Sequence, residues 1–353
     1  MLINITLSMF KSSTPQEKGS ALCTAAKHGW SEIVLALLEL DAQPDFADVA
    51  AGGKTALSYA TESGDTDTVA ALLERRASPT LLDSYLWAPL HYAAVAGSLA
   101  VVKMLLSNPK VGPDTKNDYG ETPLWQAARK GQEAVVRLLA QQGSSRVNVD
   151  VRNRNDTTPL MKAAKGGHTG VVCLLLDMET VNPDAVDKHG CTVLWYAASN
   201  GYEEITRWLL ETSKVNVNSE NKAGKTVLGT AVENGHVAVV KVLLTVGEAT
   251  PDSESLFQAV EQGNLEMVQL MLGTGKVEPG IRDDGGQTLL SFAAKNGHKA
   301  IVSFLLTEWG DDPDVQDDFR RTLWLARGHE DEAMTELFIS ALAVADRQDI
   351  QLL

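Results

Sequence analysis

The sequence predicts an all-α-dominated solenoid, a row of about nine helix-turn-helix units that each carry an extended finger, rather than one globule around one core. Three observations lead there. A leucine recurs at Leu57, Leu90, Leu124, Leu160, Leu194, Leu228, Leu256 and Leu290, in steps of 33, 34, 36, 34, 34, 28 and 34 residues. Leu22 extends the series upstream by a step of 35. A threonine or a substitute precedes most of these leucines by two positions, and a glycine follows each after about two helical turns. Self-similarity at such a period marks units that bury their apolar faces only by stacking on one another.

Within a unit the elements follow in a fixed order. Thr55, Thr122, Thr158, Thr192, Thr226 and Thr288 stand where a hydroxyl can accept a free N–H at the start of a helix. Pro89, Pro123 and Pro159 come next, at a position where a missing N–H costs nothing. Paired alanines such as Ala93 and Ala94, or Ala127 and Ala128, let a neighbouring helix approach closely. Gly64, Gly97, Gly131, Gly167, Gly201, Gly235, Gly263 and Gly297 then end the helix in the left-handed conformation. A second helix follows with an apolar stripe, as in Val171, Val172, Leu174, Leu175 and Leu176. The unit closes on a turn-rich extended stretch such as Val147-Asn-Val-Asp or Val215-Asn-Val-Asn, expected to form a β-hairpin finger.

These residues resemble the ankyrin repeat, whose pattern D-x-x-G-x-T-P-L-H-x-A-A-x-x-G-H is met most fully around Ala88-Pro-Leu-His-Tyr-Ala-Ala and Thr122-Pro-Leu-Trp-Gln-Ala-Ala. The resemblance covers roughly residues 20–330, and the V-N-V-N wording is similar to long arrays of filamentous fungi. It implies tandem repeats that bind partners through finger tips and inner helices. It also implies that His91, His168, His236 and His298 bridge backbone groups rather than hold metal.

The ends depart from the pattern. Residues 1–19 read as a flexible lead, too short in its apolar part to span a bilayer and without a basic start. Residues 20–321 form the array, and 322–353 read as a degenerate last repeat with a C-terminal cap around Leu337, Phe338, Ala341 and Leu342. The step of only 28 between Leu228 and Leu256 removes the finger near residues 249–254, which could open a pocket there.

Composition excludes several functions. The chain of 353 residues carries a net charge of −15, which opposes the basic footprint of a nucleic-acid binder. Cys23, Cys173 and Cys191 lie in different units without metal or redox spacing, which suits a reducing intracellular compartment, cytoplasmic or nuclear. Gly53-Lys54-Thr55 and Gly224-Lys225-Thr226 lack the upstream glycine of a phosphate loop, since Asp48 and Ser219 stand there. The acidic run at Asp311, Asp312, Asp314, Asp317 and Asp318 offers no asymmetry for acid–base chemistry. His329 sits in a similar acidic turn. No catalytic residue, metal site or cofactor is implied, and the reading leans against an enzyme.

Candidate binding residues come from the variable positions that the resemblance assigns to the finger and inner-helix face. From the fourth to the seventh unit these include Asp118, Tyr119, Glu121, Arg129, Lys130, Arg154, Lys165, Lys188, His189, Lys222, Lys225 and Glu233. Seven are Lys or Arg and three are acidic, opposite in sign to the whole chain, which favours an acidic segment as partner. In the third unit Tyr85, Leu86 and Trp87 stand where other units carry small or polar residues, and Tyr119 would extend an aromatic anchor. Trp125 and Trp195, at the usual histidine position, are expected to be partly reachable from the groove. The expected function is a protein-interaction scaffold or adaptor. The alternatives are a regulatory cofactor, such as a transcriptional co-regulator or a pathway accessory protein, and an unrecognised enzyme working in the groove.

Overall fold

The computed structural model describes residues 10–212, 215–278, 280–283 and 285–309. Residues 1–9 of the expected lead, the acidic run after 310, and the expected cap at 322–353 lie outside them. Nine helix pairs are present among the described residues, divided between two compact units, Met1–Lys188 and His189–Leu353.

The first unit stacks five pairs. Its inner helices are Pro15–Lys27, Ala56–Ser63, Pro89–Ala96, Pro123–Arg129 and Pro159–Lys165, each touching the next, and its outer helices form a parallel row. Threonine caps the inner helices as expected: the hydroxyls of Thr55, Thr122 and Thr158 accept from the N–H groups of Ser58, Trp125 and Met161. Ala88 has no hydroxyl, and there His91 takes over, its Nδ1 accepting the Ala88 N–H at 3.1 Å. Leu22, Leu57, Leu90 and Leu124 are wholly buried, and burial of such a side chain stabilises by about 1.5–3 kcal/mol. The stack is therefore held by its recurring leucines, and the alanine pairs at 0 % exposure set its close spacing.

The first helix starts earlier than the sequence boundary at residue 20. Thr14 accepts from the Glu17 N–H while Glu17 accepts from the Thr14 N–H, and Pro15 follows in the first helical position. This reciprocal cap places residues 15–19, expected in the flexible lead, inside the first repeat.

Among the described residues only one finger holds a regular strand pair, Ala47–Asp48 with Lys54–Thr55. The others are shaped by one side chain at their stem. The Asp83 carboxylate accepts the N–H groups of Tyr85 and Trp87. Asn117 does the same for Tyr119 and Glu121, and Asn153 for Asn155 and Thr157. Neighbouring fingers are then joined by single backbone bonds: Ser84 N–H to Gly52 C=O, Asp118 to Tyr85, Arg154 to Tyr119 and Lys188 to Asn155, at 2.8–3.1 Å.

The second unit stacks four pairs, with inner helices Val193–Ser199, Val227–Glu233, Ser253–Glu261 and Leu289–Lys295. Thr192, Thr226 and Thr288 cap three of them. Asp252 replaces threonine at the fourth, accepting from the Ser255 N–H at 2.7 Å and from the Thr226 hydroxyl at 2.9 Å. Helix Val237–Thr245 runs into Ser253–Glu261 with no finger between them, and the connection tucks Ala249 at 0 % exposure against the stack. Fingers bound by isolated bridges, Glu220 with Thr226 and Arg282 with Thr288, stand on either side.

Candidate functional site

The fingers of the first unit carry an apolar surface that water should not favour. Val49, Leu81, Leu82, Tyr85, Leu86 and Tyr119 are all exposed, on three successive fingers. Tyr85 and Tyr119 are each 56 % exposed, and the Asp118 N–H to Tyr85 C=O bond sets their fingers side by side. The Tyr85 ring lies over Gly52, where an added methyl would come within 3.2 Å of Cε2.

Leu86 is the telling member. It occupies the loop position where Gly120, Gly190, Gly224 and Gly286 stand in other fingers, and it takes the same left-handed backbone, φ 58°. For an L-residue that conformation costs about 1–2 kcal/mol, and a bulky aliphatic there is unusual. Leu86 is still 42 % exposed, so its buried part, worth about 1–2 kcal/mol, does no more than offset that cost while a sizeable apolar area stays in water.

Trp87, expected to anchor this surface, is less exposed than Tyr85 and Leu86 beside it. It is half-buried, its ring 5.0 Å from Tyr92 and 5.6 Å from His91, while the Tyr92 hydroxyl donates to Asp83 beneath it. The aromatic neighbours of its own repeat claim it, and Leu86 takes the exposed place instead. Trp125, expected within reach of the groove, is 2 % exposed, and its Nε1 donates to the Thr157 carbonyl at 3.1 Å. His91 makes the equivalent bond to the Glu121 carbonyl, so an indole and an imidazole fill the same bridging position. His168, His236 and His298 bridge to the carbonyls of Arg129, Ser199 and Glu261 in the preceding repeat of their unit.

The expected cations divide between the two units. In the first, Arg129, Lys130, Lys165 and Lys188 are exposed at helix ends or on a finger, and Arg154 pairs with Asp118 at 3.6 Å. An exposed pair at that distance contributes less than about 1 kcal/mol, so Arg154 can exchange Asp118 for another anion. Between them Lys162 lies half-buried with Nζ 5.7 Å from the Trp125 ring centre. Burial, and then the nearby Lys165, holds its ammonium below the usual lysine pKa. In the second unit His189 and Lys222 are exposed, with the Lys222 N–H bonded to the His189 carbonyl at 2.8 Å. Lys225 is committed to Glu233 at 2.6 Å.

The second unit contains a cleft of about 630 Å³ where the finger is absent. Its walls are the fingers at Glu220–Thr226 and around Asp283, and its floor holds Phe257 and Phe292, packed edge to face at 5.4 Å. Glu254 and Glu261 line it from the intervening helix. The short step in the repeat had suggested an opening here but named none of these residues. Among the described residues no three His, Cys, Asp or Glu side chains gather as a metal site, and no helix is long and apolar enough to cross a membrane.

Stacked helix pairs with projecting fingers and an exposed apolar tip surface define a repeat scaffold of the kind that docks other macromolecules. The model for ankyrin repeats in three copies matches residues 3–83, 22–117, 90–187, 178–255 and 256–346. The chain belongs to the ankyrin-repeat family. Over 56 residues it is 41% identical to the 26S proteasome non-ATPase regulatory subunit 10 of Dictyostelium discoideum, covering 16% of this chain and 24% of that protein. It is 30% identical over 121 residues to the "Probable 26S proteasome regulatory subunit p28" of Saccharomyces cerevisiae, 34% of this chain and 53% of that one. It is also 40% identical over 75 residues to the tRNA endonuclease ANKZF1 of Mus musculus, 19% of this chain and 10% of the other. The chain thus spans from a tenth to about half of these relatives' lengths, and two of their names describe proteasome regulatory subunits and the third an endonuclease. The likeness is one of scaffold, and mediation of protein interaction is the role the family carries.

Proposed function

We infer that this protein is an adaptor whose first unit grips a partner protein through the finger surface Tyr85, Leu86 and Tyr119. The partner supplies an apolar side chain for that surface and an acidic segment for Arg129, Lys130, Arg154, Lys165 and Lys188. The observation that carries this reading is Leu86, held left-handed at φ 58° and yet 42 % exposed. A residue that is strained where glycine would not be, and whose partial burial does no more than offset that strain, is explained by what its exposed part touches when bound. Tyrosines flanking an aliphatic on a rigid finger are typical of interface hot spots, and a preorganised surface loses little freedom on binding. The cations belong to the same unit as that surface, and an anion would be drawn to them while the whole chain, at −15, repels anions elsewhere. The spread of Cys23, Cys173 and Cys191 over different repeats, without metal or redox spacing, supports an intracellular setting.

Capture from native lysate tests it, using the wild type, Tyr85→Ser/Leu86→Gly and Arg129→Glu/Lys130→Glu/Lys165→Glu. The expected outcome is one protein held by the wild type and lost from both variants, with all three folded by circular dichroism. Retention by both variants would place the working surface elsewhere.

A further inference from the structure

We propose that the slot left by the missing finger seats an extended, Lys- or Arg-bearing segment of a partner protein, which pairs as an added strand with the open edge at Ala223. The backbone makes the first part of the case. Each finger that is followed directly by another has its tip carbonyl taken: Gly52, Tyr85, Tyr119 and Asn155 in the first unit, and His189 in the second, all accept an N–H from the next finger. Ala223 is the corresponding tip of the last finger before the gap, and among the described residues no N–H is donated to its carbonyl. An exposed edge of this kind is a template for one more extended chain.

The cleft behind that edge has room and a sign. Its volume of about 630 Å³ is large enough for several side chains of an extended segment. Asp252 and Asp283 already serve the local fold, one capping helix Ser253–Glu261 and the other accepting from Gln287. Glu220, Glu254 and Glu261 are exposed and line the same cleft, and the one lysine there, Lys225, is tied to Glu233. A cationic side chain entering the slot therefore meets uncommitted carboxylates, while an apolar neighbour on the same segment reaches Phe257 and Phe292 on the floor. Charge excludes two nearer occupants: a second copy of the chain brings a net −15, and the chain's own run at Asp311, Asp312, Asp314, Asp317 and Asp318 is acidic. This site has the opposite polarity to the first-unit surface and stands or falls separately from it.

The test uses the full chain and a blocked peptide of about seven alternating Arg and Val residues, titrated by calorimetry near physiological salt. The expected result is saturable one-to-one binding, weakened about tenfold or more in Glu220→Gln/Glu254→Gln/Glu261→Gln. The charge-matched control Glu32→Gln/Glu39→Gln/Glu74→Gln, with its changes in the first unit, should bind as the wild type does, and so should Tyr85→Ser/Leu86→Gly. Methylating alternate backbone nitrogens of the peptide should also weaken binding, because it removes the N–H that pairs with Ala223. Absence of binding to the wild type overturns the proposal, as does equal loss in both Gln triples, which would mean diffuse attraction to an acidic chain. Indifference to N-methylation overturns the strand pairing. Spermidine binding the cleft as tightly as the peptide would make the occupant a small polyamine. Concentration-dependent dimerisation through the cleft would make it a second copy. Either of these last two results also overturns the proposal.

Discussion

His91 should make the first unit acid-sensitive in a way that a single substitution removes. The ring is 0 % exposed, with Nδ1 accepting from the Ala88 N–H and Nε2 donating to the Glu121 carbonyl, so it is built in as the neutral tautomer. Burial pushes its pKa down to about 4 from the ordinary 6.5, and the pull of Asp83 and of the carbonyls at Glu121 and Thr115 does not overcome it. A second proton on Nδ1 would also set a donor against the Ala88 donor. Between pH 6.5 and about 4 the unfolded chain therefore binds a proton that the folded chain refuses. Stability is complete above pH 6.5 and declines as the pH falls toward 4, by about 1.4 kcal/mol per unit within the window and by about 3 kcal/mol in all. At pH 5 the loss should be about 2 kcal/mol. Urea denaturation of the wild type and His91→Gln at pH 7.5 and pH 5 isolates it, because other titrating groups are common to both. The advantage of the wild type should shrink by about 2 kcal/mol at the lower pH. An unchanged difference, or a His91 ring signal that titrates near 6.5 in the folded protein by NMR, would refute the reasoning.

Other substitutions separate folding from recognition. Leu86→Gly should change the stability of the first unit by no more than about 1 kcal/mol in urea, since relief of the left-handed strain is offset by the lost burial and by the freedom glycine adds to the unfolded chain; partner capture should nevertheless fall. Trp125→Phe removes the donor to the Thr157 carbonyl and should cost about 1–2 kcal/mol in the same assay, whereas Trp87→Phe should cost less because among the described residues no bond from the Trp87 indole is seen. Leu124→Ala empties a fully buried site between repeats and should cost about 2–5 kcal/mol, visible as a fall in thermal midpoint.

The repeat was legible because its rules are local. Thr122, Pro123, Leu124, the alanine pair and Gly131 each act within a few residues of their own position, so spacing alone reveals them. The start at Pro15 was equally local: Thr14 and Glu17 stand at capping-box spacing, but without a recurring glycine in the finger before them they read as lead. The candidate surface was less legible. Whether Trp87 or Leu86 faces outward depends on Tyr92 and His91 packing beneath the finger and on a backbone angle that no residue type dictates. The cleft was foreseen as a gap in the row, but its lining was not, because Phe257, Phe292, Glu254 and Glu261 meet only once the helices are stacked. The division at Lys188 and His189 falls inside a finger of ordinary sequence and carries no mark there.

The side chain at the base of each finger has a consequence for how such a protein can change. Asp83, Asn117, Asn153 and Asn221 each tie their own loop to itself, so the shape of a tip depends little on its residues apart from the left-handed position. Tip residues are thereby released from the task of folding and can be exchanged one at a time without passing through an unfolded intermediate sequence. The same insulation means that a lineage of these chains can acquire a new partner by altering a single finger while every other finger keeps the partner it had.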